Sequence, residues 1–88
     1  MTINIRDLKK KIIYRSNYRG TKEMDILLSS FTKKHIDTLS EAELYLLSDL
    51  LDIDDENLYK FNQGQQTSKL FEINKITLLF KSFVYKND

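Results

Sequence analysis

Five side chains between positions 15 and 25 carry most of the chemistry this sequence can offer. They are Arg15, Tyr18, Arg19, Glu23 and Asp25, gathered about Gly20. Two guanidinium groups precede the glycine and two carboxylates follow it, a set suited to charge-assisted hydrogen bonding. It is poorly suited to acid–base catalysis, because Glu23 and Asp25 stand two apart on a predicted helix and diverge. Arg19 and Glu23 are four apart, so a helix resuming at the glycine would set them on one face. Arg15, Arg19 and Glu23 would then form a compact polar patch. Gly20 itself suits a junction that needs positive φ or close backbone approach. Two readings stand at this point: a solvated helix junction with a weak surface ion pair, or a patch that another backbone can approach.

The elements that must position this stretch are legible from periodicity and caps. Helix one is predicted over residues 5–18, with Asn4 as N-cap, Asp7 in the first turn, and Ile5, Leu8 and Ile12 on one face. Its Lys9-Lys10-Lys11 run is either a solvated face or a basic docking surface. Helix two is predicted over 21–37 on the stripe Met24, Leu27, Leu28 and Phe31. Ser40-Glu41-Ala42-Glu43 is a capping box, with Leu39 and Leu44 as its hydrophobic staple, and it opens helix three over 41–52. Leu44, Leu47, Leu50 and Leu51 form the buried face of that helix. Asp54 caps a short helix four over 55–63, with Ile53 and Leu58 as staple and Gly64 as terminator. The polar connector around Gly64 leads to helix five over 69–85, capped by Thr67 or Ser68 and striped by Ile73, Ile76, Leu79, Phe80 and Phe83. The expected fold class is all-α, a single five-helix domain without strands spanning residues 1–88.

Composition closes several alternatives. There are 88 residues, 41% hydrophobic and 31% charged, with no Pro and no Cys. Disulfides, thiolate metal sites and a cysteine nucleophile are therefore excluded. His35, the only imidazole, continues an apolar stripe and is read as structural rather than as a metal ligand. No base or nucleophile stands poised beside it, and no glycine-rich phosphate loop follows a strand, so an enzyme is not expected. The acidic cluster Asp52–Glu56 fails as a calcium loop, because Asn57 and Gln63 occupy the positions that need Gly and Glu. Net charge is +1 but unevenly spread. Arg6, Lys9, Lys10, Lys11, Arg15, Arg19 and Lys22 crowd the first part against Asp7, and residues 37–56 carry acids and no base. That polarity can orient a protein partner, while a near-neutral total argues against nucleic acid. No run is apolar enough to span a bilayer, and the N-terminus lacks a signal-peptide pattern. Bacterial cytoplasm is the expected location.

The motif stretch resembles the signature of a known family. Arg19-Gly20-Thr21-Lys22-Glu23 follows the Arg-Gly-x-x-Glu pattern of the FAD assembly factors, also called the succinate dehydrogenase flavinylation factors. Arg15-Ser16 stands ahead of it, and Met24-Asp25-Ile26-Leu27-Leu28 with Phe31 follows. Leu39-Ser40-Glu41-Ala42-Glu43 and the block from Leu50 to Tyr59 are similar to later family blocks in order and spacing. The resemblance covers roughly residues 5–84. One departure is Phe61, where many members carry Trp, so no role of that indole transfers.

The resemblance implies an assembly chaperone that binds the flavoprotein subunit of succinate dehydrogenase, or of fumarate reductase. It implies that Arg15, Tyr18, Arg19, Gly20, Glu23 and Asp25 meet this client, whose covalent flavinylation with FAD the protein promotes. In that family the histidine–flavin bond forms within the client, and the factor contributes positioning. FAD belongs to the client, and no flavin motif predicts stable FAD binding by this chain. A monomer is expected when the protein is free. Two other classes remain open: an antitoxin-like interaction partner, and a small nucleic-acid binder using the basic first helix.

Overall fold

Asn4 opens the described part of the chain, accepting the Arg6 N–H on its side chain at 2.9 Å, and a helix follows because Leu8 and Ile12 can be buried together. The structure, a computed structural model, describes residues 4–84. Five helices run in order: α1 (Ile5–Asn17), α2 (Lys22–His35), α3 (Glu41–Leu51), α4 (Asp55–Asn62) and α5 (Lys75–Ser82). A 3-10 turn, Ile36–Thr38, extends α2, and there is no strand among the described residues.

The predicted caps Asn4, Ser40 and Asp54 form, and Thr21 adds an unpredicted one at α2. Thr21 accepts the Met24 N–H at 3.2 Å. Ser40 and Glu43 close a reciprocal capping box. Asp54 accepts the Asn57 N–H at 3.2 Å. Gly64, at φ +75, closes α4 in the left-handed region that favours glycine.

α1 packs on α2 and α3, and α5 covers α3 and α4. One core joins them. Met24, Leu27, Leu28 and Phe31 of α2 meet Leu44, Leu47, Leu50 and Leu51 of α3, with Leu58, Ile76 and Phe80. Phe31 and Phe80 meet edge-on at 5.2 Å, a favoured aromatic geometry.

The last helix departs from expectation. Its predicted span was 69–85, yet it begins at Lys75 and ends at Ser82; position 85 lies outside the described residues. The cap is Asn74, not Thr67 or Ser68: Asn74 and Thr77 form a reciprocal box, and the Thr77 hydroxyl also donates to the Glu72 carbonyl at 2.7 Å. Residues 65–74 form an irregular strap instead. Phe71 stacks on Phe61 with centroids 4.0 Å apart and planes 9° apart. Asn57 Oδ1 accepts the Ser68 N–H at 3.0 Å. These tertiary contacts outweigh the helical pattern of the segment. Ile73, predicted to lie in the apolar stripe, is consequently exposed.

Candidate partner-binding site

Arg19 lies in the turn before α2, outside the helix that Thr21 caps. The expected i,i+4 pairing with Glu23 is therefore absent; the guanidinium reaches across to the α3–α4 junction. Nε donates to Asp55 Oδ1 at 2.8 Å, Nη1 to the Leu51 carbonyl at 2.9 Å and Nη2 to the Ile53 carbonyl at 2.9 Å. The physical logic is plain. Leu51 ends α3, where carbonyls lack helical partners and the dipole favours a cation, and Asp55 begins α4, where the dipole favours an anion. A planar fork of fixed donors can satisfy all three acceptors at once. The Arg19 side chain is only 11% exposed.

Gly20 explains itself in the same place. Its N–H donates to Asp55 Oδ2 at 2.9 Å, so one carboxylate receives both Arg19 and Gly20. A Cβ on Gly20 would sit 3.2 Å from that oxygen. Close approach, rather than positive φ, is the reason for glycine here. Asp25 accepts the Arg19 backbone N–H and holds the turn from its other side. Arg15 also works across the fold, pairing with Asp52 and donating to Ser48 Oγ at 2.9 Å. The four charged or backbone groups at Arg15, Arg19, Gly20 and Asp25 thus anchor the junction of α1 and α2 to α3 and α4.

The remaining two candidates face outward. Tyr18 is 69% exposed and its ring lies 4.5 Å from that of Tyr14. Glu23 is exposed on the first turn of α2 and makes no ion pair among the described residues. It borders a cleft of about 410 Å³ shared with Leu27, Tyr59, Asn62 and Phe83. Sequence reasoning missed Asp55, Tyr59 and Asn62 as members of this region. In the sequence Asp55 stands out only as part of an acidic cluster that fails as a calcium loop, and Tyr59 only as part of a matched block. The one available signal for Tyr59 was helical register, since burying Leu58 turns its neighbour outward. Asn62 is buried and donates to the Phe80 and Phe83 carbonyls at 2.8 and 2.9 Å, which fixes the floor of the cleft.

Titratable groups elsewhere serve the fold. Desolvation, with Lys34 and Lys75 nearby, holds the His35 pKa below its ordinary value, and its ring packs on Phe31 at 4.9 Å. Hydrogen bonding from Lys75 and from the Ser40 backbone lowers the Glu43 pKa, and bonds from Asn57 lower that of Asp54. No group of three His, Cys, Asp or Glu side chains that could hold a metal occurs among the described residues. No helix among them is long and apolar enough to cross a membrane.

Fold and site together define a small all-helical protein whose motif arginine and glycine lock its own junctions, leaving the motif glutamate free beside a cleft. The family described as Flavinator of succinate dehydrogenase matches residues 10–84, and the chain belongs to that family. It is 37% identical over 70 residues to the FAD assembly factor SdhE of Wigglesworthia glossinidia brevipalpis, covering 76% of this chain and 83% of that protein. It is 46% identical over 51 residues to the mitochondrial succinate dehydrogenase assembly factor 2 of Meyerozyma guilliermondii, 58% of this chain but 38% of that protein. The FAD assembly factor SdhE of Acetobacter pasteurianus is 33% identical over 55 residues, 62% of this chain and 50% of that one. The chain thus spans well under half the length of the fungal relative. No solved structure matches.

Proposed function

We propose that this protein binds the flavoprotein subunit of succinate dehydrogenase, and that of fumarate reductase where present, and promotes covalent attachment of FAD to it. The observation that carries the reading is the division within the motif. Arg19 and Gly20 hold the α1–α2 turn rigidly against Asp55, and Glu23 stands unpaired at a cleft with an exposed Tyr59 beside it. A free carboxylate on a rigid helix start, next to an aromatic, is the arrangement expected of an anchor in a partner interface. Family membership supplies the client class.

The helper acts by positioning. Binding one client conformation more tightly shifts the client toward it, which requires no active site in the helper. The protein is accordingly a chaperone and not an enzyme, a monomer when free, with FAD held by the client. We assign it to a bacterial cytoplasm, a reading supported by likeness to the Wigglesworthia protein over most of that protein's length.

Deleting the gene and measuring in-gel flavin fluorescence of the flavoprotein subunit tests the function. Covalent flavin should fall strongly and return with a plasmid copy. Normal flavinylation in a deletion strain lacking any redundant factor would contradict it.

A further inference from the structure

The acidic and basic halves of this chain are not equally occupied. Between positions 37 and 56, Asp37 pairs with Lys9, Glu43 with Lys75, Asp52 with Arg15, Asp55 with Arg19 and Glu56 with Lys60, and Asp54 caps α4. Only Glu41 and Asp49 there lack an ion pair or capping role among the described residues. On α1, among the described residues, Lys9 and Arg15 are engaged but most cations are not. Arg6, Lys10 and Lys11 are exposed and have no ion pair among the described residues.

Helical spacing aligns these cations with aromatics. Tyr14 follows Lys10 and Lys11 by four and three residues, and Tyr18 follows Tyr14 by four, so they form one outward stripe. The rings of Tyr14 and Tyr18 are largely exposed and touch each other. Beside Tyr14 a cleft of about 330 Å³ opens between Lys10, Lys11 and Ser48, floored by Leu8. Exposed rings with unpaired cations around an apolar-floored cleft are suited to an aromatic or aliphatic side chain flanked by carboxylates.

We propose that the outer face of α1 is a second docking surface, separate from Glu23 and its cleft, for an acidic polypeptide segment carrying an aromatic side chain. A second copy of this chain is a poor occupant, because among the described residues of its acidic stretch, positions 37 to 56, only Glu41 and Asp49 are not already engaged by its own cations or caps. Nucleic acid is disfavoured by the count: three free cations on this face and a net charge of +1 allow few phosphate contacts.

The surface can be tested without identifying the natural partner. The probe is a synthetic peptide of alternating Glu and Tyr, titrated into labelled protein by NMR at low salt. Its controls are the Lys/Tyr peptide and oligo(dT) of equal charge. The expected result is binding of the Glu/Tyr peptide alone, with shifts confined to the Lys10–Tyr18 stripe. The Lys10→Glu/Lys11→Glu variant, both sites being exposed, should keep its helical spectrum and weaken binding about tenfold or more. Tyr14→Ala should weaken it as well, and Glu23→Ala should leave it unchanged. Equal binding by wild type and the double variant, shifts centred on Glu23, or tighter binding of oligo(dT) would each overturn the proposal. Because the readout is peptide affinity, a failure here is distinct from a failure of flavinylation.

Discussion

At Arg19 a single side chain serves three acceptors, and its loss exposes the cost of each. Arg19→Ala would leave Asp55 with only the Gly20 N–H, and the Leu51 and Ile53 carbonyls without their donor. The guanidinium is mostly buried, so the expected cost is about 2 kcal/mol, more than a surface ion pair would give. Arg19→Lys should recover little of it, because a point donor cannot span three acceptors. Urea midpoints of the two variants check this; an Arg19→Ala protein as stable as wild type would remove the clamp. The same reasoning separates two chemically similar carboxylates. Asp55 is held between Arg19 and Gly20, whereas Glu23 holds nothing among the described residues. Glu23→Ala should therefore change stability by less than about 0.5 kcal/mol.

At the scale of elements, the two glycines make a direct contrast. Gly64 sits at φ +75 with open space where a Cβ would go, and Gly20 sits without positive φ but 3.2 Å from Asp55 Oδ2. Gly64→Ala should cost about 1 kcal/mol through backbone strain at the end of α4. Gly20→Ala should act through Asp55, so its cost should shrink when Asp55 is already Ala; thermal melts of the single and double variants read that coupling. The end of α2 adds a pH dependence. Burial lowers the folded pKa of His35 below 6.5, so the unfolded chain binds the proton more readily. The associated stability is full above about pH 6.5 and falls as pH drops toward the lower folded value. Denaturation at about pH 7.5 and about pH 5.5 should show this loss, and His35→Gln should flatten it. Elements whose signals are local were legible in the sequence. Asn4, Ser40 and Asp54 announce α1, α3 and α4 by side chains that bond backbone within three residues, and the stripe from Met24 to Phe31 announces α2. The start of α5 was not legible, because the strap before it is held by Phe61 and Asn57 of α4, side chains beyond the connector whose contacts no periodicity encodes.

At the scale of the whole molecule, charge segregation along the chain becomes pairing in space. The basic first part and the acidic middle meet where Lys9, Arg15 and Arg19 bond Asp37, Asp52 and Asp55. A sequence reader sees the polarity but not which cations are consumed by it, which is why Arg19 looked like Glu23's partner. The motif stretch stands out in the sequence by its residues; which of its groups turn inward and which face outward depends on the α3–α4 junction. That division makes the central claim testable in one measurement. A strain lacking the gene is complemented with wild type or with Glu23→Ala, both shown to melt alike, and covalent flavin on the client is read by in-gel fluorescence. The account predicts that Glu23→Ala, though fully folded, restores far less flavin than wild type, since losing an anchor in a desolvated interface costs about 2 kcal/mol or more. Full restoration by a natively folded Glu23→Ala protein would contradict it.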